Sequence, residues 1–271
     1  MTPAAVEILL RRDRIVIAAA LVVVTTLAWA YVLWLAADMD MGGMDMTGFR
    51  MIPAGMGLMA PAPSPWMGIE FAFVLVMWAV MMIGMMLPSA APMILIYARI
   101  SRQAAQQGKP FAPSGWFAGG YVASWVGFSV IATFAQWALE RALLLTPMMA
   151  STSQLLGGIV LICVGLYQWT PLKRACLAQC QSPLFFIQQH GGFRRDIPGS
   201  LKLGLRHGAY CIGCCWALMA LLFVGGVMNV LWIAAIAIFV FIEKVAPARR
   251  AISWIGGLAF VIAGIWLIAL P

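Results

Sequence analysis

Charge is scarce in this chain. Only 10% of its 271 residues are Asp, Glu, Lys or Arg while 63% are apolar, and soluble packing cannot absorb such a composition. No Gly-x-x-x-x-Gly-Lys-Ser/Thr phosphate loop is present either, so any transport would be passive, coupled to a gradient or driven by a partner. No loop is long enough to hold an independent folded domain. The first apolar block lacks a clear small-residue cleavage site and is long for a signal peptide, so it is expected to remain as a helix.

What is there is a series of apolar blocks long enough to cross a hydrocarbon core. Seven spans are expected: 15–37, 66–87 with an extension to 97, 115–139, 153–170, 209–228, 230–241 and 252–270. The sixth is short, and the tight turn at Asn229 allows the fifth and sixth to be one broken pair. The fold class is thus an all-α integral membrane bundle of about seven helices. Its expected parts are an N-terminal transmembrane helix (1–37), an external Met/Asp/Gly/Pro-rich loop (38–65) and a six-helix metal-binding membrane domain (66–271). Between the fourth and fifth spans lie a short helix, Leu172 to Gln181, an apolar patch, Leu184 to Ile187, and turn signals at His190-Gly191-Gly192 and Pro198-Gly199. Gly157-Gly158 with Gly165 recurs as Gly256-Gly257 with Gly264, and Met77-Trp78-Ala79-Val80-Met81 echoes Cys215-Trp216-Ala217-Leu218-Met219. The preserved order is that of an inverted three-helix repeat, although glycines recur in any tightly packed membrane bundle.

Basic residues orient the bundle. With a cytoplasmic N-terminus, fifteen of the seventeen Lys and Arg residues fall on one side, leaving Arg50 and Arg141 opposite, as the positive-inside rule requires. The net charge of +8 therefore reports topology and contact with an anionic lipid bilayer, not nucleic acid. The C-terminus is then external.

Sulfur is distributed unevenly between the two sides. Seven methionines lie between Met39 and Met59, on the side assigned to the exterior, whereas five of the six cysteines gather in the basic part of the chain. Both sulfur types are soft ligands suited to Cu(I), and a thioether stays usable where a free thiol would oxidise. Within the external segment Met39, Met41, Met44 and Met46 alternate with Asp38, Asp40 and Asp45, mixing soft sulfur with hard carboxylate. In the second span Met77, Met81 and Met85 share one helix face, Met82 and Met86 widen it, and Pro88 and Pro92 are expected to break or kink the helix just beyond. Methionine also serves as flexible packing, so this stripe has an ordinary alternative.

The cysteine cluster is more specific. His207, Cys211 and Cys214 are spaced four and three apart at the expected start of the fifth span, with Cys215 beside them, and Cys176 and Cys180, four apart on the preceding segment, can complete the set. Imidazole with two or three thiolates suits Cu(I) first and Zn(II) second. Cys163, alone, reads as a small hydrophobe. Glu70, Gln136, Gln168 and Glu243 are polar residues inside or at the ends of spans, which need a partner or water; Glu243 is either a further ligand or half of an interfacial ion pair with Lys244. His190, in a glycine-rich turn, reads as a surface residue.

The runs Met77 to Pro88, Thr170 to Cys180 and Gly204 to Met219, together with Glu243-Lys244, resemble the bacterial family described as predicted metal-binding integral membrane proteins, domain of unknown function 2182. The resemblance spans Trp66 to Leu270. It implies a multi-helix membrane protein suspected of binding metal and supplies no settled reaction. The expected function is binding of a soft metal, copper before zinc, and its transfer between the external methionines and the cysteine site, with a periplasmic or membrane metal-handling partner. Two other chemistries use the same ligands: a membrane copper oxygenase or a subunit of one, and a thiol-disulfide electron relay through Cys176, Cys180 and the Cys211 group. A structural membrane subunit would need no metal.

Overall fold

The computed structural model describes residues 3–40, 66, 68–108, 112–142, 144, 145, 149, 151, 153–193, 196–246 and 249–269. Among these, ten helices follow one another: α1 (Pro3–Asp40), α2 (Gly68–Gln106), α3 (Ser114–Arg141), α4 (Gln154–Gln168), α5 (Pro171–Gln181), α6 (Pro183–Gln189), α7 (Ile197–Ala220), α8 (Leu222–Gly225), α9 (Val230–Val245) and α10 (Arg249–Ala269). Five helical stretches, 15–37, 68–106, 114–141, 197–225 and 250–269, are long and apolar enough to cross a membrane, and a sixth is obtained if α4 and α5, bent by 64° to one another, count as one. Helix α9 has 16 residues, about 24 Å at 1.5 Å per residue. Outward faces remain apolar, with Leu27, Leu231, Ile255 and Trp266 each more than 60% exposed, a surface suited to lipid rather than water.

Three boundaries differ from expectation, each for a local reason. Helix α2 runs unbroken through Pro88 and Pro92 to Gln106. Near the prolines the Met86 carbonyl accepts from the Ser89 hydroxyl (2.7 Å) and the Tyr121 hydroxyl (3.1 Å), the side-chain support that lets proline sit within an apolar helix. Helix α7 begins at Ile197, twelve residues before the expected start at Ala209: Asp196 caps it by accepting from the Gly199 amide, and Pro198 lies in the first turn, where its missing N–H has no intrahelical role. His207 and Cys211 are therefore well inside α7, not at its start. Asp38, Met39 and Asp40 continue α1, while the remainder of the expected external loop, with Met41, Met44 and Met46, lies outside the described residues.

The bend between α4 and α5 is built from capping. Thr170 accepts from the Lys173 amide at 3.2 Å, and Pro171 follows at the first helical position, so one helix ends and another starts within a few residues.

Glycine contacts bring the helices together. A Cβ placed at Gly158 would come within 2.8 Å of the Gly264 carbonyl, and one at Gly165 within 2.6 Å of the Gly257 carbonyl. The two matching glycine patterns thus face each other across an antiparallel α4/α10 pair, and their equal spacing follows from that contact. Helices α3 and α7 run parallel: Gly204 meets Phe117, and Gly208 lies against Tyr121 and Ser124 one turn further along both. Backbones this close place the Tyr121 hydroxyl against the cysteine stripe.

Candidate metal centre

The helical spacing of His207, Cys211 and Cys214 puts them along one face of α7, and all three are buried with Cys215. Interactions converge on Cys211. Its Sγ lies 2.9 Å from the Lys244 ammonium and 3.2 Å from the Tyr121 hydroxyl. The thiols of Cys214 and Cys215 donate to the Cys211 carbonyl at 3.0 and 2.9 Å, the usual backward reach of a small polar side chain on a helix. Cys180, from α5, adjoins Cys211 and Cys214. Cys215 Sγ is 4.0 Å from Met86 Sδ. Five sulfurs from three helices, Cys180, Cys211, Cys214, Cys215 and Met86, are thereby linked.

Cys176 stands at the edge of this group: its Sγ would be 2.8 Å from a Cβ at Gly213, so the missing side chain at Gly213 is what lets α5 approach. All six cysteines are free thiols. Among the described residues no three His, Cys, Asp or Glu side chains already surround one point as a finished metal shell. The hydrogen bonds account for this, because the Cys214 and Cys215 thiols turn toward a carbonyl while Lys244 faces the Cys211 sulfur.

The inner methionines are all buried: Met77, Met81, Met82, Met85 and Met86 are at most 3% exposed. None faces lipid. Met86 is the one that touches a cysteine sulfur, and Ser89, one turn beyond Met85, accepts from Lys244 at 2.9 Å. The α2 face around Met85, Met86 and Ser89 therefore borders the cluster.

Glu243 and Lys244 are not a pair with one another. The Glu243 carboxylate accepts from Lys173 Nζ through both oxygens at 2.7 Å and from the Ser253 hydroxyl at 2.7 Å, which engages the carboxylate otherwise considered as a ligand. Lys173 is 1% exposed, so it is a buried ion-pair partner rather than a solvated loop charge. Gln181 adds a bond to the Glu243 carbonyl at 2.7 Å. These contacts fasten both ends of α5 to α9, and that holds Cys180 beside Cys211.

The His207 ring lies among Phe117, Tyr121 and Phe186, with centroids 5.9, 5.6 and 5.1 Å away, and its Nδ1 is buried without a hydrogen-bond partner. An orphaned imidazole nitrogen so close to thiols is free to act as a ligand. His190 is half-buried rather than on the surface, its Nδ1 2.8 Å from the Phe186 carbonyl.

Two members of the centre lie outside the motifs read from the sequence. Tyr121 sits in an aromatic-rich helix with nothing to distinguish it, and Ser89 looks like a turn residue between two prolines. Lys244 and Lys173 stand within those motifs, but their partners, Cys211 and Glu243, could have been found only by asking how a charge beside a long apolar run is neutralised.

A family model described as a copper chaperone, PpoB2, matches residues 75–267, well over half of the chain. The matched stretch runs from the methionines of α2 through the cysteine stripe of α7 to α10. No curated protein and no solved structure matches the chain.

Proposed function

The chain belongs to this copper chaperone family, and from that premise we propose that it is a multi-pass inner-membrane protein that takes Cu(I) as cargo at the cysteine cluster of α7. The observation that carries the proposal is the meeting of the buried thiols of Cys211, Cys214 and Cys215 with the Met86 thioether, beside the half-buried Cys180. Soft sulfur in an apolar surrounding selects a soft monovalent ion over the hard cations of the cell. Cys211 and Cys214, one helical turn apart and both in contact with Cys180, are the first ligands, with Cys215, Cys176 and His207 completing the shell as the thiols rotate away from the Cys211 carbonyl.

Lys244 has a defined part in this scheme. Cu(I) held by two thiolates carries one net negative charge, which is costly inside a membrane unless compensated. The ammonium 2.9 Å from Cys211 Sγ supplies the compensating charge. Because it approaches through a single sulfur, it leaves the other thiols open to the ion.

The bundle has the N-terminus in the cytoplasm, with α4 and α9 as short membrane elements that bring the spans to seven. Antiparallel packing of α4 on α10 and parallel packing of α3 with α7 agree with that course and with an inverted repeat of α2 to α4 and α7 to α10. Copper reaches the cluster along the buried thioethers of α2, from Met77 by way of Met81 and Met85 to Met86, and the methionines beyond Asp38 gather it outside and receive it from a metal-handling partner.

Thiol alkylation tests the proposal. Added Cu(I) should protect Cys180, Cys211 and Cys214 in the purified protein, and removing the ion with a chelator should restore labelling. If labelling of all three is indifferent to Cu(I), the cluster is not the copper site. A mixed disulfide trapped after removal of one of these cysteines would instead identify an electron relay.

A further inference from the structure

At the other end of α2, away from the cysteines, lies a second polar group that the copper site does not use. Glu140, in the last turn of α3, is 7% exposed. One of its oxygens accepts from Gln136 Nε2 at 2.8 Å and the other from Trp66 Nε1 at 2.9 Å. Gln136, fully buried, is itself oriented by Trp78, whose Nε1 donates to Gln136 Oε1 at 2.7 Å. That bond turns the amide nitrogen toward Glu140 and toward Met149 Sδ, 3.2 Å away, and Met149 is 4% exposed.

An N–H donor on each oxygen suits the carboxylate anion, yet among the described residues no Lys, Arg or His forms an ion pair with Glu140. Arg141, its neighbour, lies over the Trp137 ring at 5.2 Å. A buried carboxyl group with no ion-pair partner among the described residues of an apolar bundle suits a cation path, and a thioether anchored in the same network makes the cation a soft one. Hard divalent ions ask for six or more oxygen ligands, which this group does not offer.

We propose that Glu140 and Met149, held by Gln136, Trp66 and Trp78, form a second and weaker site for a soft monovalent cation at the Trp66 end of the bundle. Glu140 supplies the countercharge and Met149 the sulfur. Trp78 adjoins Met77, the first of the buried thioethers that lead toward Met86 and Cys215, so the site stands at the head of that path; its role in loading cargo rests on the copper-handling function proposed above. Weak binding is what a loading station requires, since an ion must leave it as readily as it arrives.

Ag(I), a soft monovalent probe, tests the site by titration of the full-length purified protein in detergent. Glu140→Gln and Met149→Leu keep size and should each weaken one low-affinity Ag(I) at least about tenfold while leaving the tight ion at the cysteines in place. Cys211→Ser/Cys214→Ser should do the reverse, losing the tight ion and keeping the one that depends on Glu140. Unchanged low-affinity binding in both Glu140→Gln and Met149→Leu overturns the second site. Loss of the tight ion in Glu140→Gln overturns it as well, because the residue would then act on the whole bundle. Failure of the cysteine variant to lose any ion would count against the copper centre alone.

Discussion

Cys211 is the residue on which the centre turns, since a hydroxyl and an ammonium reach its sulfur and two other thiols reach its carbonyl. Tyr121 is the least replaceable of these partners. Its hydroxyl bridges Cys211 Sγ and the Met86 carbonyl, so Tyr121→Phe removes a partner of the Cys211 sulfur and leaves the Met86 carbonyl with the Ser89 hydroxyl alone. The expected loss is about 0.5–1.5 kcal/mol, read as a lower unfolding midpoint in detergent, with weaker Cu(I) retention; a midpoint equal to the parent's would mean that the hydroxyl contributes nothing. At this scale the stripe His207, Cys211 and Cys214 was legible because helical periodicity alone aligns it. Tyr121, Ser89 and Lys244 were not, because each joins the group through contacts between elements remote in sequence. Glu243 was drawn into the ligand set by its position at a helix end, and only the fold reveals that Lys173 and Ser253 already hold it.

Among the elements, α5 is the one whose placement decides the chemistry. It carries Cys176 and Cys180, and the Lys173–Glu243 pair, 1% and 2% exposed, is its anchor. Lys173→Met should leave Glu243 as an unpaired buried anion and cost about 3–5 kcal/mol. It should also speed alkylation of Cys180 as α5 loosens. Lys173→Met/Glu243→Met should recover most of the stability, since replacing both partners removes the stranded charge. A single variant as stable as the parent would show that the pair is not what seats α5. The short helix expected over Leu172 to Gln181 corresponds to α5, and the Thr170 cap followed by Pro171 accounts for its start and its bend against α4. The true start of α7 was hidden because Pro198-Gly199, a common turn signal, here fills the first turn of a helix capped by Asp196. The course of α2 through Pro88 and Pro92 was hidden for a different reason, since it depends on hydroxyls from Ser89 and from Tyr121 of another helix.

For the molecule as a whole, composition was the reliable guide. Apolar runs and sparse charge led to a helical bundle with lipid-suited faces, while the number of spans depends on α4 and α9, whose 15 and 16 residues are short for a crossing. The asymmetry of fifteen basic residues against two predicts the sidedness: reporter fusions at residues 50 and 145 should report the exterior, and fusions at 105 and 190 the cytoplasm. A cytoplasmic signal at residue 50 would place the methionine-rich segment and the cysteine helix differently from the course proposed above. The central claim is that the sulfurs of α7 and α5 hold copper, and metal analysis of the intact protein purified under reducing conditions tests it most directly. Copper should co-purify with the parent chain, and Cys211→Ser/Cys214→Ser should lose most of it while still reaching the membrane; equal copper in the variant and the parent would contradict the account.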